Sequence, residues 1–333
     1  MSVQTERTDT GTAAAPGARR TDVPPPADDT GPATARRRGG ASAPYLLLVP
    51  ALLVTAVLLG WPLVKNGMLS FQNLNPRQLI LHLTEWNGGD NYKEVLGSAD
   101  FWKVVQRTVV FTTVNVVLIM VLGTLVGLLL ARLGKRMRLV LLLGVVLAWA
   151  MPVIAATTVY QWLFAQRFGV VNWLLAKAGW TSMADYNWFG SQLSTFSVIT
   201  LVIVWQSIPF VAINLYAATT TIPKELYEAA SIDGAGVWKS FTHVTFPFLR
   251  PFLWATTFLE VIWVFKAFPQ IFAMNMGGPD RLTETLPIYA FVEGPGNQHY
   301  GMGAAISFLT ILILLGLTAY YLRTVLKQEE DEL

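Results

Sequence analysis

Six long apolar runs, most of them meeting the roughly 20 residues that cross a bilayer as a helix, constrain this chain more than any other feature. They fall at about 45–64, 108–131, 139–165, 196–217, 252–273 and 303–322. Four of the first five are uncharged throughout; the run at 252–273 holds Glu260 and Lys266. Hydrocarbon offers no water to the peptide groups, so only helices or a closed barrel satisfy the backbone there. Runs of this length indicate helices. The expected fold is an all-α membrane protein with six transmembrane helices. The charge content agrees: 14% of the 333 residues are charged, against about 25% in soluble domains. Absence of cysteine excludes disulfides, thiolate metal sites and cysteine nucleophiles. His82, His243 and His299 lie too far apart to pair as ligands at helical spacing. The net charge of +3 gives no reason to expect a nucleic-acid partner.

Outside the six runs, residues 1–44 are rich in Pro, Ala, Thr and Gly and nearly free of large apolar groups. Such a segment buries too little surface to offset its ordering entropy, so a disordered tail is expected. It is not read as a signal peptide: the polar stretch is too long, and Arg36-Arg37-Arg38 comes shortly before the first run. Basic residues also set the orientation. The three arginines and the acid-free cluster Arg132, Lys135, Arg136 and Arg138 belong on the cytoplasmic side. Six crossings then place both termini, and the connection at 218–251, in the cytoplasm. Residues 45–325 form one transmembrane domain, followed by a short acidic tail at 326–333. The connections near 66–103, 166–195 and 274–300 lie outside. Their Trp86-Asn87-Gly88-Gly89 and Tyr186-Asn187-Trp188 fit either an interfacial aromatic belt or a rim that receives an external partner.

The cytoplasmic connection has a definite pattern. Ile222-Pro223-Lys224-Glu225-Leu226-Tyr227-Glu228-Ala229-Ala230-Ser231-Ile232-Asp233-Gly234 reads as a short polar helix. Pro223 suits its first turn, and Gly234 allows the positive φ of a C-terminal stop. Val244-Thr245-Phe246-Pro247 closes the connection. Together these resemble the Glu-Ala-Ala loop of ABC-importer permeases: Glu-Ala-Ala, three residues, Gly, nine residues, then Ile-x-Leu-Pro. Every spacing agrees, with Val244 and Phe246 as the two apolar replacements. Phe265-Lys266-Ala267-Phe268-Pro269-Gln270-Ile271, Gly277-Gly278-Pro279 and Gly301-Met302-Gly303-Ala304-Ala305-Ile306-Ser307 further resemble the sugar-type branch, which includes maltodextrin and glycerol-phosphate importers. Arg107-Thr108 stands where that branch commonly has Asn-Thr.

The resemblance covers about 45–325. It implies a type I importer permease bundle in a bacterial plasma (inner) membrane, with Glu228, Ala229, Ala230 and Gly234 meeting the ATPase. It also implies a second permease subunit, a cytoplasmic ABC ATPase dimer and an extracytoplasmic solute-binding protein. The chain has no Gly-x-x-x-x-Gly-Lys-Ser/Thr loop, so it is expected to bind no cofactor itself, ATP being used by the partner. No His-Glu-x-x-His or Gly-x-Ser-x-Gly appears, and no enzyme activity is expected.

The solute path is expected on the fourth and fifth runs. Glu260, Trp263, Val264 and Ala267 follow i, i+3, i+4, i+7 spacing and share a helical face. A carboxylate accepts hydroxyl hydrogen bonds, and an indole stacks on an apolar sugar face. By resemblance to the maltodextrin permease, these four and Gln206, Ser207 and Phe210 line the path for a sugar, a di- or oligosaccharide. Trp263 as interface packing and Glu260 as one half of an intersubunit ion pair stay open. Lys266, six residues on, is placed off the Glu260 face. Two alternatives stand beside the sugar permease: an importer for glycerol phosphate, and an ion-driven secondary transporter. The first favours convergent Arg or Lys in the spans, where only Lys266 is present. The second favours paired acids at midplane, where only Glu260 is present.

Overall fold

The computed structural model describes residues 43–331, so the expected tail at 1–44 lies almost wholly outside the described residues. Two units are distinguished, with the boundary at Thr55 and Ala56. In the first, α1 (Ala43–Thr55) is an apolar helix. The packing and the sites described below belong to the second. A π-helical turn (Ala56–Gly60) leads into α2 (Trp61–Leu69), and short helices α3 (Pro76–Ile80) and α4 (Asp90–Gly97) fill the first long connection. The long α5 (Ala99–Arg132) is followed by α6 (Lys135–Ala150), α7 (Val153–Leu163) and α8 (Val170–Lys177). Next come α9 (Gln192–Thr220), α10 (Lys224–Ile232) and α11 (Val237–Ser240). The chain ends in α12 (Phe246–Phe265), α13 (Pro269–Asn275), α14 (Leu286–Phe291) and α15 (Tyr300–Asp331). The last helix therefore continues through most of the expected acidic tail.

Five helical stretches are long and apolar enough to span: Leu46–Leu69, Ala99–Arg132, Gln192–Thr220, Val237–Asn275 and Tyr300–Val325. The run at 139–165, expected as one span, is two helices, α6 and α7, which are apolar and long enough only when taken together and are bent by 96° at their break. Pro152 explains the break. Its ring crowds the α conformation of the preceding residue, and Met151 turns out with ψ 127°.

The core is built on α5 against α9. Buried Phe111, Val116 and Ile119 of α5 meet Val198, Ile199, Val202, Val211 and Leu215 of α9. Two glycines let the backbones close. A Cβ on Gly123 would stand 2.6 Å from Val211 Cβ, and one on Gly127 would stand 2.9 Å from the Ala212 carbonyl oxygen. Gly123-Thr-Leu-Val-Gly127 is thus a small-xxx-small contact, which replaces hydrophobic driving force with close packing inside a membrane. Across the bundle, α7 is tied to α13 by Gln161, whose Nε2 donates to the carbonyls of Ala273 and Met274 at 2.8 Å each.

The connections at the other end from α10 are folded rather than loose. Asn172, buried in α8, donates to the carbonyls of Gln166 and Tyr186 at 2.9 Å and accepts from Trp188 Nε1 at 2.6 Å. Trp188 also packs edge-on against Phe164 at 5.1 Å. It is a packing residue here, not a belt residue, because its indole N–H has an internal partner. Trp86, by contrast, is exposed. In the connection after α13, Arg281 bridges two carboxylates: Nε to Glu284 at 2.8 Å and Nη2 to Glu293 at 2.7 Å. Arg107 of α5 donates to the carbonyls of Arg281 and Glu284 at 2.9 and 3.0 Å. Thr108 accepts from the Leu286 amide at 2.9 Å. The Arg107-Thr108 pair therefore fastens this connection to α5. Burial lifts the Glu284 carboxyl above its ordinary pKa against the pull of Arg281. Burial works downward on the Arg281 guanidinium, but its two carboxylate hydrogen bonds prevail and hold it above its ordinary value.

Candidate solute path and coupling surface

The solute-facing expectation centres on the crossing of α9 and α12. A cavity of about 320 Å³ opens there, lined by Ile203 and Ser207 of α9, Trp263 and Val264 of α12, and Lys266, Ala267, Pro269 and Gln270 beyond it. Of the seven expected path residues, Ser207, Trp263, Val264 and Ala267 line it. Phe210 stands behind Trp263, ring centroids 5.0 Å apart. Gln206 reaches instead toward the Met151 carbonyl at 3.5 Å, beside the α6–α7 break.

Glu260 is fully buried, 0% exposed, and does not reach the cavity wall. The Ser207 hydroxyl stands beside it, but neither carboxylate oxygen has a geometrically sound hydrogen bond. No cation pairs with it among the described residues. An uncompensated carboxylate is among the most costly groups to bury. Gln206 Oε1 and Gln270 Oε1 are also buried without a donor. These four orphaned oxygens, on α9, α12 and α13, are acceptors; Gln270 is the residue among them that lines the cavity, where a ligand O–H or N–H would satisfy it.

Lys266 lies off the Glu260 face, as expected, and among the described residues no Lys266–Glu260 ion pair forms. The α-helix stops at Phe265, and the Ala267 amide turns back to the Val264 carbonyl at 3.0 Å. Lys266 leaves the wheel and joins Trp263 at the cavity. Pro269 was the available signal, because it stands at the first position of a new helix, α13. Gln270 was missed for the same reason.

At the opposite end of α9 lies the Glu-Ala-Ala segment. Here α10 covers Lys224–Ile232, with Pro223 one place ahead of the helix rather than in its first turn. Gly234 has φ +73°. Its amide donates to the Ser231 carbonyl at 3.1 Å, and Ala235 donates to Ala230 at 2.9 Å. This is a Schellman stop, and the left-handed residue at its centre is why glycine is needed. Tyr227 fixes α10 to the bundle through a 3.0 Å hydroxyl contact with Thr245, in the π-helical turn Phe241–Thr245. That pairing turns Glu228 and Ala229 outward while Ala230 is half-buried. Ile232 and Trp238 are 87% and 74% exposed. Phe241 is half-buried and stacks loosely between Trp238 and Phe246. A small, outward-facing patch of one acid, one alanine and two large apolar groups can seat another protein.

The chain belongs to the family of binding-protein-dependent transport system inner membrane components, whose model matches residues 123–329. It is a multi-pass ABC-importer permease subunit, a transport component and not an enzyme. It is 75% identical to the diacetylchitobiose uptake system permease protein DasB of Streptomyces coelicolor, over 88% of this chain and 89% of that one. It is 33% identical to the trehalose/maltose transport system permease protein MalF of Thermococcus litoralis, over 84% of this chain and 92% of that one. In fold it is similar to a bacterial alginate ABC transporter solved with an alginate-pentasaccharide-bound periplasmic protein. The TM-score is 0.72 at 17% identity, covering 83% of this chain and 91% of that one. These matches agree with the family resemblance read from the sequence.

Proposed function

We propose that this permease carries an N-acetylated amino-sugar disaccharide of the diacetylchitobiose type, in an ATP-driven importer. The observation that carries the reading is the 75% identity, along almost the whole chain, to a permease named for that sugar. The cavity chemistry supports it: Trp263 offers a face for a pyranose ring, and Gln270, which lines the cavity with an Oε1 that has no donor, suits hydroxyl and acetamido N–H donors. A phosphorylated solute would instead call for converging cations, and Lys266 is the one cation lining the cavity.

In this reading both termini and α10 face the cytoplasm. Glu228, Ala229, Ala230 and Gly234 form the seat for an ABC ATPase dimer. A second permease chain completes the path, and a solute-binding protein delivers sugar to the far side. ATP-driven closure of the ATPase pair moves α10, and Tyr227 with the Phe241–Thr245 turn passes that motion to α12, which bears Trp263. Alternating access at the α9–α12 crossing follows.

The test is uptake of labelled diacetylchitobiose into proteoliposomes holding the complete system, with ATP enclosed and binding protein outside. Uptake that needs ATP and is competed by unlabelled diacetylchitobiose, but not by glycerol phosphate, supports the proposal. Uptake sustained by an ion gradient without ATP, or competed by glycerol phosphate alone, overturns it.

A further inference from the structure

A second cavity, of about 530 Å³, lies between the end of α5, the start of α6, the end of α9 and the coupling segment. Its charged lining residues are Arg132, Arg138 and Lys224, one each from α5, α6 and α10; no acid lines it. Arg138 serves the fold, since its Nε and Nη2 donate to the Leu130 and Leu133 carbonyls at 2.9 and 2.7 Å, satisfying the last turn of α5. Its guanidinium also lies 5.3 Å from the Tyr216 ring centre. Arg132 and Lys224 are exposed and have no acidic partner among the described residues. The remaining wall is mixed: Leu128, Ile222 and Phe241 form apolar stretches, and the hydroxyls of Thr219, Thr220 and Ser240 stand among them. Leu129, Met137 and Leu139, adjoining these residues in sequence, are exposed apolar groups, as lipid-facing groups are. Arg132 is the last residue of the apolar stretch Ala99–Arg132, and in the topology proposed above that end faces the cytoplasmic leaflet.

We infer that this groove binds the phosphate headgroup of an anionic membrane lipid, its glycerol and upper acyl carbons lying on the apolar stretches of the wall. The inference rests on the cytoplasmic placement of α10 proposed above. Basic pockets between helices at that leaflet are suited to such lipids. A lipid is favoured over a protein partner because three cations and no acid line the groove and exposed Leu129, Met137 and Leu139 adjoin Arg132 and Arg138 in sequence. The bound phosphate ties Lys224, at the first turn of the coupling helix, to Arg132 on α5. The lipid thereby steadies the coupling helix against the bundle.

The experiment uses the complete importer in nanodiscs of phosphatidylcholine doped with phosphatidylglycerol, and native mass spectrometry of the lipids that stay bound. The wild type retains phosphatidylglycerol over phosphatidylcholine. Arg132→Gln with Lys224→Gln weakens that retention by about tenfold or more, each cation near the surface contributing on the order of 1 kcal/mol. Arg132→Lys with Lys224→Arg keeps it. Lys135→Gln with Arg136→Gln removes the same charge outside the groove and leaves retention unchanged. Retention that falls equally in this control pair shows only a diffuse surface attraction and overturns the site. Equal retention of both lipids by the wild type, or displacement of phosphatidylglycerol by millimolar inorganic phosphate, overturns it too. Labelling of Gly134→Cys in intact cells separates the two failures. Reaction only from outside removes the topology on which both readings depend, whereas protection from outside with no retained lipid removes this inference alone.

Discussion

At the scale of single residues, Glu260 and Gly234 show two different reasons for a side chain to be where it is. Glu260 is a buried carboxylate without a donor, so its presence lowers stability and calls for a functional reason. Glu260→Leu is expected to raise the melting temperature of the detergent-solubilised complex while uptake falls at least several-fold. Lower stability with normal uptake would show the carboxylate to be structural. At Gly234 the backbone decides. Its φ of +73° costs an L-residue about 1 kcal/mol, so Gly234→Ala should leave the protein inserted and assembled but with reduced sugar-stimulated ATP hydrolysis. Gly234 was legible in the sequence because a helix stop is local chemistry. The part played by Lys266 was not, because a helical wheel drawn through 267 presumes a helix that ends at Phe265.

Elements fail in a different way, through contacts distant in sequence. The six apolar runs gave the spans because hydrophobicity and length suffice for that. The kink between α6 and α7 was readable in Pro152, and the α5–α9 seam in Gly123-xxx-Gly127, had spacing of small residues been considered alongside hydropathy. Gly127→Leu forces a side chain onto the Ala212 carbonyl and is expected to destabilise the bundle by about 1–3 kcal/mol or more, seen as loss of the folded species in size-exclusion chromatography. The connection after α13 was not readable at all. Arg107 and the carbonyls it holds are 174 and 177 residues apart, and no local pattern announces such a pairing. Its acid also sets a pH dependence. Because the folded-state pKa of Glu284 is raised by burial, its stabilising share is complete below the unfolded value and is lost as pH rises through the folded one. The pH-dependent part should vanish in Glu284→Gln, so hydrogen exchange across 276–299 should quicken with rising pH more in the wild type than in the variant, after correction for intrinsic exchange. A wild-type profile parallel to the variant's would contradict this.

For the molecule as a whole, the two candidate sites lie at opposite reaches of the same pair of helices. The coupling segment joins the end of α9 to the start of α12, and the cavity lies where those helices cross near Ser207 and Trp263. In the proposed function, a displacement of α10 would act on both walls of the path without an intermediary domain. The family was legible from the coupling segment because its spacing is compact and its chemistry local. The cavity's composition was legible only in part: Trp263, Val264, Ala267 and Ser207 line it, while Glu260 lies behind its wall. The most direct measurement of this account is ATP hydrolysis by the reconstituted importer, with sugar-loaded binding protein, comparing wild type with Glu228→Lys. Stimulation that disappears in the variant, while permease and ATPase still copurify, is the predicted result. Full stimulation in Glu228→Lys would contradict the claim that this face of α10 passes the energy of ATP to the path.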